Sequence, residues 1–333
     1  MTPPMELGLA LDLGTDPSSG GIADQIRRAA PLLTLAEQAG FTSVWLGESY
    51  HTAPAPFHLP SALMVLAHLA PMTKLGLGTG VLLARAHHPD RLATEAALVD
   101  QLSEGRLTLG IGLGADGLKG VLGGLGQAGG PMFEAMLARL RTLWRERPAG
   151  TYVPAPYRTG GPPILIGGRG PVAARRAATL ADGYYSATNY SDRLLAAQST
   201  AYLEALAAHN PHARPSIAVN RVCIVDSDGA TARNHAEEHL ARLHHYYRSL
   251  NAWDIGRADG DPEPVLVGTP TEIIARLRHY RSLGVTHVQA RIAPAGMPEE
   301  VIRRTITELG EHVIPNLRAL DAGHRFTQGT SSA

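Results

Sequence analysis

The chain has 333 residues, 30 basic against 30 acidic, and no formal net charge. With no long basic run, this balance argues against nucleic acid, whose phosphates need a basic surface. The single cysteine, Cys223, excludes an intramolecular disulfide and a thiolate metal cluster, while 44% hydrophobic residues supply a large core.

No basic, then apolar leader opens the sequence, and no uncharged apolar run approaches the roughly 20 residues of a membrane span. The expectation is a cytoplasmic protein with no membrane partner, acting on a small-molecule substrate. Strand-like and helical patterns alternate almost from end to end. The first strand is expected at residues 7–11. Ile22, Ile26, Ala29, Leu33 and Ala36 then mark one face of a helix that Gly40 ends, with Pro31 a point of kink or break inside it. Ser43–Leu46 reads as the second strand, 59–69 as a helix and 74–84 (KLGLGTGVLLA) as the third strand. Pro89 suits the first turn of the next helix, and a fourth strand is expected at 107–113.

Residues 115–130 (ADGLKGVLGGLGQAGG) break the pattern as a glycine-rich insertion after strand four. A helix at 132–144, a loop at 148–161 and a fifth strand at 163–166 follow. A helix at 172–180 and the strand Gly183–Ser186 come next, then a helix at 194–208, the strand Ile217–Val225 and a helix at 230–250. After a polar loop (GRADGDPEP), Thr269 or Thr271 caps another helix, with Pro270 in its first turn. The last strand is expected at 285–292 and the last helix at 298–317. Eight strands, each followed by a helix, favour a (β/α)8 TIM barrel over an open, doubly wound sheet, as one domain over residues 1–318 with 319–333 as a mobile tail.

In such a barrel the chemistry sits at the C-terminal ends of the strands. Reading each strand to its end gives Gly47 to His51, Gly80-Val81, Gly112-Leu113-Gly114, Gly167 to Gly170, Ser186 to Asn189, and Arg291. Glycine recurs there, and it lets a flat ring or a phosphate approach the backbone. Gly167-Gly168-Arg169-Gly170 precedes a helix, whose N-terminal N–H groups and Arg169 suit a phosphate. His51 is a candidate acid or base, and Tyr50, Tyr185 and Asn189 are candidates for the substrate pocket. His87-His88 and His244-His245 have no third ligand at sensible spacing and read as surface or packing residues, so no metal site is expected. Cys223 reads as an inert core thiol; Tyr246, Tyr247 and Trp253 read as packing or pocket.

Four stretches in order (AEQAGFTSVWLGES, KLGLGTGVLLARAHHPDRLATEAALVDQLSEGRLTLGIGLG, PPILIGGRGPVAARRAATLADGYYSAT and VGTPTEIIARLRHYRSLGVTHVQARI) resemble the bacterial-luciferase-like flavin oxidoreductases. The resemblance spans residues 7–317. It implies reduced FMN, or the deazaflavin coenzyme F420, across the barrel mouth and a non-prolyl cis peptide at Gly80-Val81. It implies Gly80, Val81, Gly112, Gly114, Gly167, Gly168, Arg169 and Gly170 as cofactor contacts, a separate flavin reductase as a partner, and a homodimer packed through early helices. The implied activity is monooxygenation of a small organic substrate; the alternatives are deazaflavin hydride transfer and a non-catalytic subunit that has lost its cofactor.

Two positions depart from the family pattern. Members often carry histidine directly after the glutamate of the second strand; here Glu48 is followed by Ser49 and Tyr50, and histidine comes at His51. Glu48, Ser49 and His51 are therefore the candidate catalytic group. Many FMN-using members also carry a phosphate-pairing arginine where this chain has Leu113.

Overall fold

The computed structural model describes residues 5–13, 20–50, 59, 61–114, 129–249, 252–294 and 296–318. Its elements in chain order are β1 (Glu6–Leu11), α1 (Ile22–Ala39), β2 (Ser43–Leu46), α2 (Ala62–Leu69), β3 (Gly76–Leu83) and α3 (Pro89–Leu102). Then come β4 (Leu107–Gly112), α4 (Gly130–Arg145), β5 (Ile164–Gly167), α5 (Pro171–Leu180), β6 (Gly183–Ser186) and α6 (Asp192–His209). The last are β7 (Ile217–Val225), α7 (Gly229–Ser249), β8 (Val265–Gly268), α8 (Pro270–Ser282), β9 (His287–Ala293) and α9 (Glu299–Glu308).

Strands β1 to β6 pair in sequence order, β6 pairs with β7, and β9 joins β7 to β1. Every pairing is parallel, so β1 to β7 and β9 close an eight-stranded TIM barrel. The ninth strand, β8, was not expected. Four residues long, it pairs only with Val222–Val225, the part of β7 that runs beyond its Ala218–Val222 pairing with β9. So short a run after a polar loop carries too little periodicity to separate it from the helix that follows.

Inside and outside alternate along each strand. On β1, Leu7, Leu9 and Leu11 face the helical layer, while Gly8 and Ala10 face the barrel axis. On β2, Val44 and Leu46 face out and Trp45 faces in. The indole occupies the space that side chains at Gly8 and Gly78 would fill: a Cβ on Gly78 would lie 2.1 Å from the Trp45 ring. A small inner cluster of Ala10, Trp45, Leu165, Tyr185 and Ala218 thus plugs the barrel, and the larger core lies between strands and helices.

Local signals in the sequence account for most helix ends. α1 runs unbroken through Pro31 and stops at Gly40, whose φ of 90° is left-handed. α8 opens with a capping box in which Thr269 accepts from the Glu272 N–H and Glu272 accepts from the Thr269 N–H, with Pro270 next. The last helix is not regular: a π-turn, Leu309–Val313, follows α9. Most of the glycine-rich insertion (115–128) and the C-terminal segment 319–333 lie outside the described residues. No described helix is long and apolar enough to cross a membrane.

Candidate active site

The C-terminal ends of the barrel strands enclose a cavity of about 530 Å³, within the range of small-ligand and cofactor sites. Of the residues singled out from the sequence, Glu48, Ser49, Gly80, Val81, Gly112, Gly114, Gly167, Gly168, Arg169, Tyr185 and Asn189 line it. The Gly80-Val81 peptide bond is cis. His51 lies outside the described residues.

Glu48, at the end of β2, is the most committed polar group at the mouth. Its Oε2 accepts from the Leu83 N–H at 2.8 Å and lies 2.8 Å from His87 Nε2, while its Oε1 accepts from the Tyr50 hydroxyl at 3.0 Å. The carboxylate is fully buried and the His87 side chain is 13% exposed. His87 is therefore more than the surface or packing residue its doublet suggested. His88 does behave so: its Nδ1 caps α3 by accepting from the Asp90 N–H. Burial and the adjacent carboxylate push the Tyr50 phenol well up, so Tyr50 stays neutral and serves Glu48. The Ser49 hydroxyl accepts from the Leu59 N–H at 2.9 Å.

Tyr185 forms part of the floor. Its hydroxyl donates to Gln289 Oε1 at 2.7 Å and approaches the Gly80 carbonyl at 3.2 Å, and its ring packs 6.4 Å from that of Trp45. Tyr184 points the other way, and its hydroxyl holds the Gly168 carbonyl at 2.8 Å. Asn189 donates to the Ala252 carbonyl, which ties the loop after β6 to the segment after α7.

Position along the strands would have found Asp12 and Asn220, which were not singled out; Arg291 and Tyr247, read from the sequence as a strand-end residue and as packing or pocket, both line the cavity. Asp12 directly follows β1 and pairs with Arg291 on β9, Oδ2 lying 2.7 Å from Nε and 2.6 Å from the terminal nitrogen. Tyr247, on α7, accepts from the same guanidinium at 3.2 Å. Burial works against the Arg291 charge, but Asp12 and Tyr247 outweigh it and hold the group above its usual range. Asn220, on β7 next to β9, and Thr188 join in a hydrogen bond on the adjoining wall. Leu113 also lines the cavity, so no cation stands at that position.

A cationic side lies at the start of α5. Gly170 is its N-cap, with φ 99° and no side-chain cap. Arg169 is exposed, lines the cavity and has no acidic partner among the described residues. Arg176 lies one turn further in and pairs with Glu134 at 2.6 Å.

A parallel barrel with a part-apolar pocket over its strand ends is the architecture of barrel enzymes. The chain belongs to the luciferase-like monooxygenase family, whose model matches residues 5–287. It is 32% identical over 158 residues to the oxygenase component of the flavin-dependent trigonelline monooxygenase of Acinetobacter baylyi, 42% of each chain. The chain thus spans less than half the length of the first curated relative it matches. It is 28% identical to the F420-dependent glucose-6-phosphate dehydrogenase of Beutenbergia cavernae, over 86% of this chain and 91% of that one. In fold it is similar to the monooxygenase RslO1 of Streptomyces bottropensis, with a TM-score of 0.77 at 23% identity over 94% of this chain and 99% of that one.

Proposed function

We propose that this chain is a flavin-dependent monooxygenase that binds reduced FMN and acts with oxygen on a small organic molecule. The observation that carries the reading is the cavity itself, where a side-chain-poor wall meets a cationic helix start. A Cβ at Gly112 or Gly167 would come within 3.2 and 3.1 Å of the Val81 methyls, so this wall presents backbone and one isopropyl group. A flat ring suits such a wall, and a phosphate suits the α5 N-terminus beside Arg169. The residues present therefore fit a flavin. When bound, it supplies the redox chemistry, while the protein binds, orients and excludes water.

The chain's own polar groups divide the remaining work. Asp12, Arg291 and Tyr247 form a fixed, mutually satisfied cluster that orients a substrate on the β1–β9 side. Glu48 and His87 connect the cavity to solvent, and a proton moves between the carboxylate and Nε2 without either side chain leaving its place. Tyr50 holds the carboxylate of that pair through its hydroxyl. A homodimer and a separate flavin reductase belong to the same reading.

Arg169→Ala is expected to weaken FMN binding roughly tenfold, the scale of a lost charge-assisted hydrogen bond, with the unfolding midpoint unchanged. Fluorescence titration against reduced and oxidised FMN reads this directly, and unchanged affinity removes Arg169 from the phosphate site.

A second reading, hydride transfer with coenzyme F420, is favoured by Leu113, which offers no charge beside the Gly112–Gly114 turn, and by the long alignment with the F420-dependent dehydrogenase. Stopped-flow spectra of the cofactor-loaded chain with and without oxygen separate the two. The monooxygenase reading requires turnover to stop under argon; turnover that persists there establishes hydride transfer.

A further inference from the structure

Away from the barrel mouth, α7 carries His235, Glu238 and His239 in the run His235-Ala236-Glu237-Glu238-His239. Spacings of three and four residues place all three on one face of the helix. Their ligand atoms lie within 4.8 Å of one another, and the two imidazoles stack with centroids 5.9 Å apart at 18°. Glu238 Oε2 is 3.7 Å from His239 Nε2. From these observations we propose that His235, Glu238 and His239 form a binding site for one divalent metal ion of zinc type.

The ligand chemistry is that of a borderline-soft cation: two imidazole nitrogens and one carboxylate oxygen, with a tetrahedral shell completed by water. Bond lengths of about 2.0–2.2 Å bring tetrahedral ligand atoms roughly 3.3 Å apart, so the observed cluster needs only small side-chain rotations. Both imidazoles are half-buried, which limits the side-chain freedom lost on binding. His235 also borders a cavity of about 300 Å³ shared with Asp226, Glu300 and Arg304, which gives room for the fourth ligand.

The basic side chains nearest His235 are paired with carboxylates, and Arg242, one turn on from His239, is a further cation on α7. Arg233, the basic side chain just before the cluster, pairs with Glu272 at 3.2 Å. Arg304 pairs with Asp226 and Glu308 at 3.4 and 3.0 Å. Glu237 and Glu238 add negative charge on α7 itself.

The test uses the full chain without an affinity tag. Zn2+ titration in competition with a chromophoric chelator is expected to show one saturable site. His235→Ala and His239→Ala should each lower its affinity roughly tenfold or more, while His245→Ala leaves it unchanged. Zn2+ should also raise the unfolding midpoint of the unaltered chain and not that of the double variant. Cu2+ bound to the unaltered chain gives a readout that does not depend on any variant folding: its electron paramagnetic resonance should show coupling to two imidazole nitrogens. No saturable binding, a double variant that binds as well as the unaltered chain, or Cu2+ coupled to fewer than two imidazoles would each overturn the site.

Discussion

Asp192→Ala is expected to destabilise the fold by about 3–5 kcal/mol, the range for removing one partner of a buried ion pair. Asp192 opens α6 and lies between two guanidiniums. Its Oδ1 is 3.5 Å from Arg221, whose side chain is fully buried, and its Oδ2 is 2.9 Å from Arg276. The Tyr280 hydroxyl donates to Oδ1 at 3.0 Å and accepts from Arg221 Nε at 3.0 Å. Both arginines also lie over the Tyr280 ring, 5.4 Å from its centroid. Alanine leaves Arg221 charged, buried and without its carboxylate. Asp192→Asn should cost less, because it keeps an acceptor for Tyr280. Urea denaturation followed by circular dichroism measures both, and a loss below about 1 kcal/mol for alanine would show that Arg221 is not held by this pair.

The same substitution reaches the cavity. Arg221 donates to the Ala187 carbonyl at 3.0 Å, and Ala187 to Tyr190 form one wall of the pocket. Any Asp192→Ala protein that still folds should therefore bind its ligand less well, although Asp192 itself does not line the cavity.

Gly110→Ala is the second large effect. A Cβ there would lie 2.1 Å from the Thr79 carbonyl oxygen, an atom fixed in the backbone of the adjacent strand. The β3–β4 register shifts between Thr79 and Leu82, and the Thr79 hydroxyl donates to the Gly110 carbonyl at 2.8 Å, so the two strands are closely tied at this point. A methyl group forces them apart beside Val81. The expected cost is about 3 kcal/mol or more, at or above the usual range for overpacking. Gly150→Ala is the control: its φ of 80° is unfavourable for alanine, yet nothing lies within 4 Å of the added carbon. It should lose only about 1 kcal/mol, the backbone term alone. Thermal unfolding of both variants tests this; a loss at Gly110 no larger than that at Gly150 would show that the two strands admit the methyl group without being forced apart.

Both effects bear on how far the sequence could be read. Strand and helix order was legible because each element carries its own period and punctuation: Gly40, Pro89, Thr269 and Pro270 all occupy the terminal positions their chemistry suggests. An apolar run does not show which strand residues face out and which face in, or that glycines on the inner face stand beside a large side chain such as Trp45. Gly8, Gly78 and Gly110 look permissive in sequence, whereas Trp45 and the Thr79 carbonyl take up the space beside them.

At the mouth, residues adjacent to strand ends were legible and their hydrogen-bond partners were not. Glu48 was visible as the end of β2, but His87 reaches it from beyond β3, 39 residues away. The histidine doublets drew notice because adjacent histidines stand out. His235 and His239 share a helix face only through their spacing of four, which has to be sought. Ser49 was read as a catalytic candidate and Tyr50 as a pocket residue; the Tyr50 hydroxyl is committed to Glu48, and Ser49 accepts from the Leu59 N–H.

The Asp12–Arg291 pair joins residues 279 positions apart. Ribosomal synthesis delivers Asp12 long before Arg291, so the pocket wall they share does not exist on a nascent chain until the last barrel strand has emerged. A ligand that needs this wall cannot template the early steps of folding. It acts afterwards, as a clamp on the closed ring, and its stabilisation should appear in the unfolding rate rather than in the rate of folding.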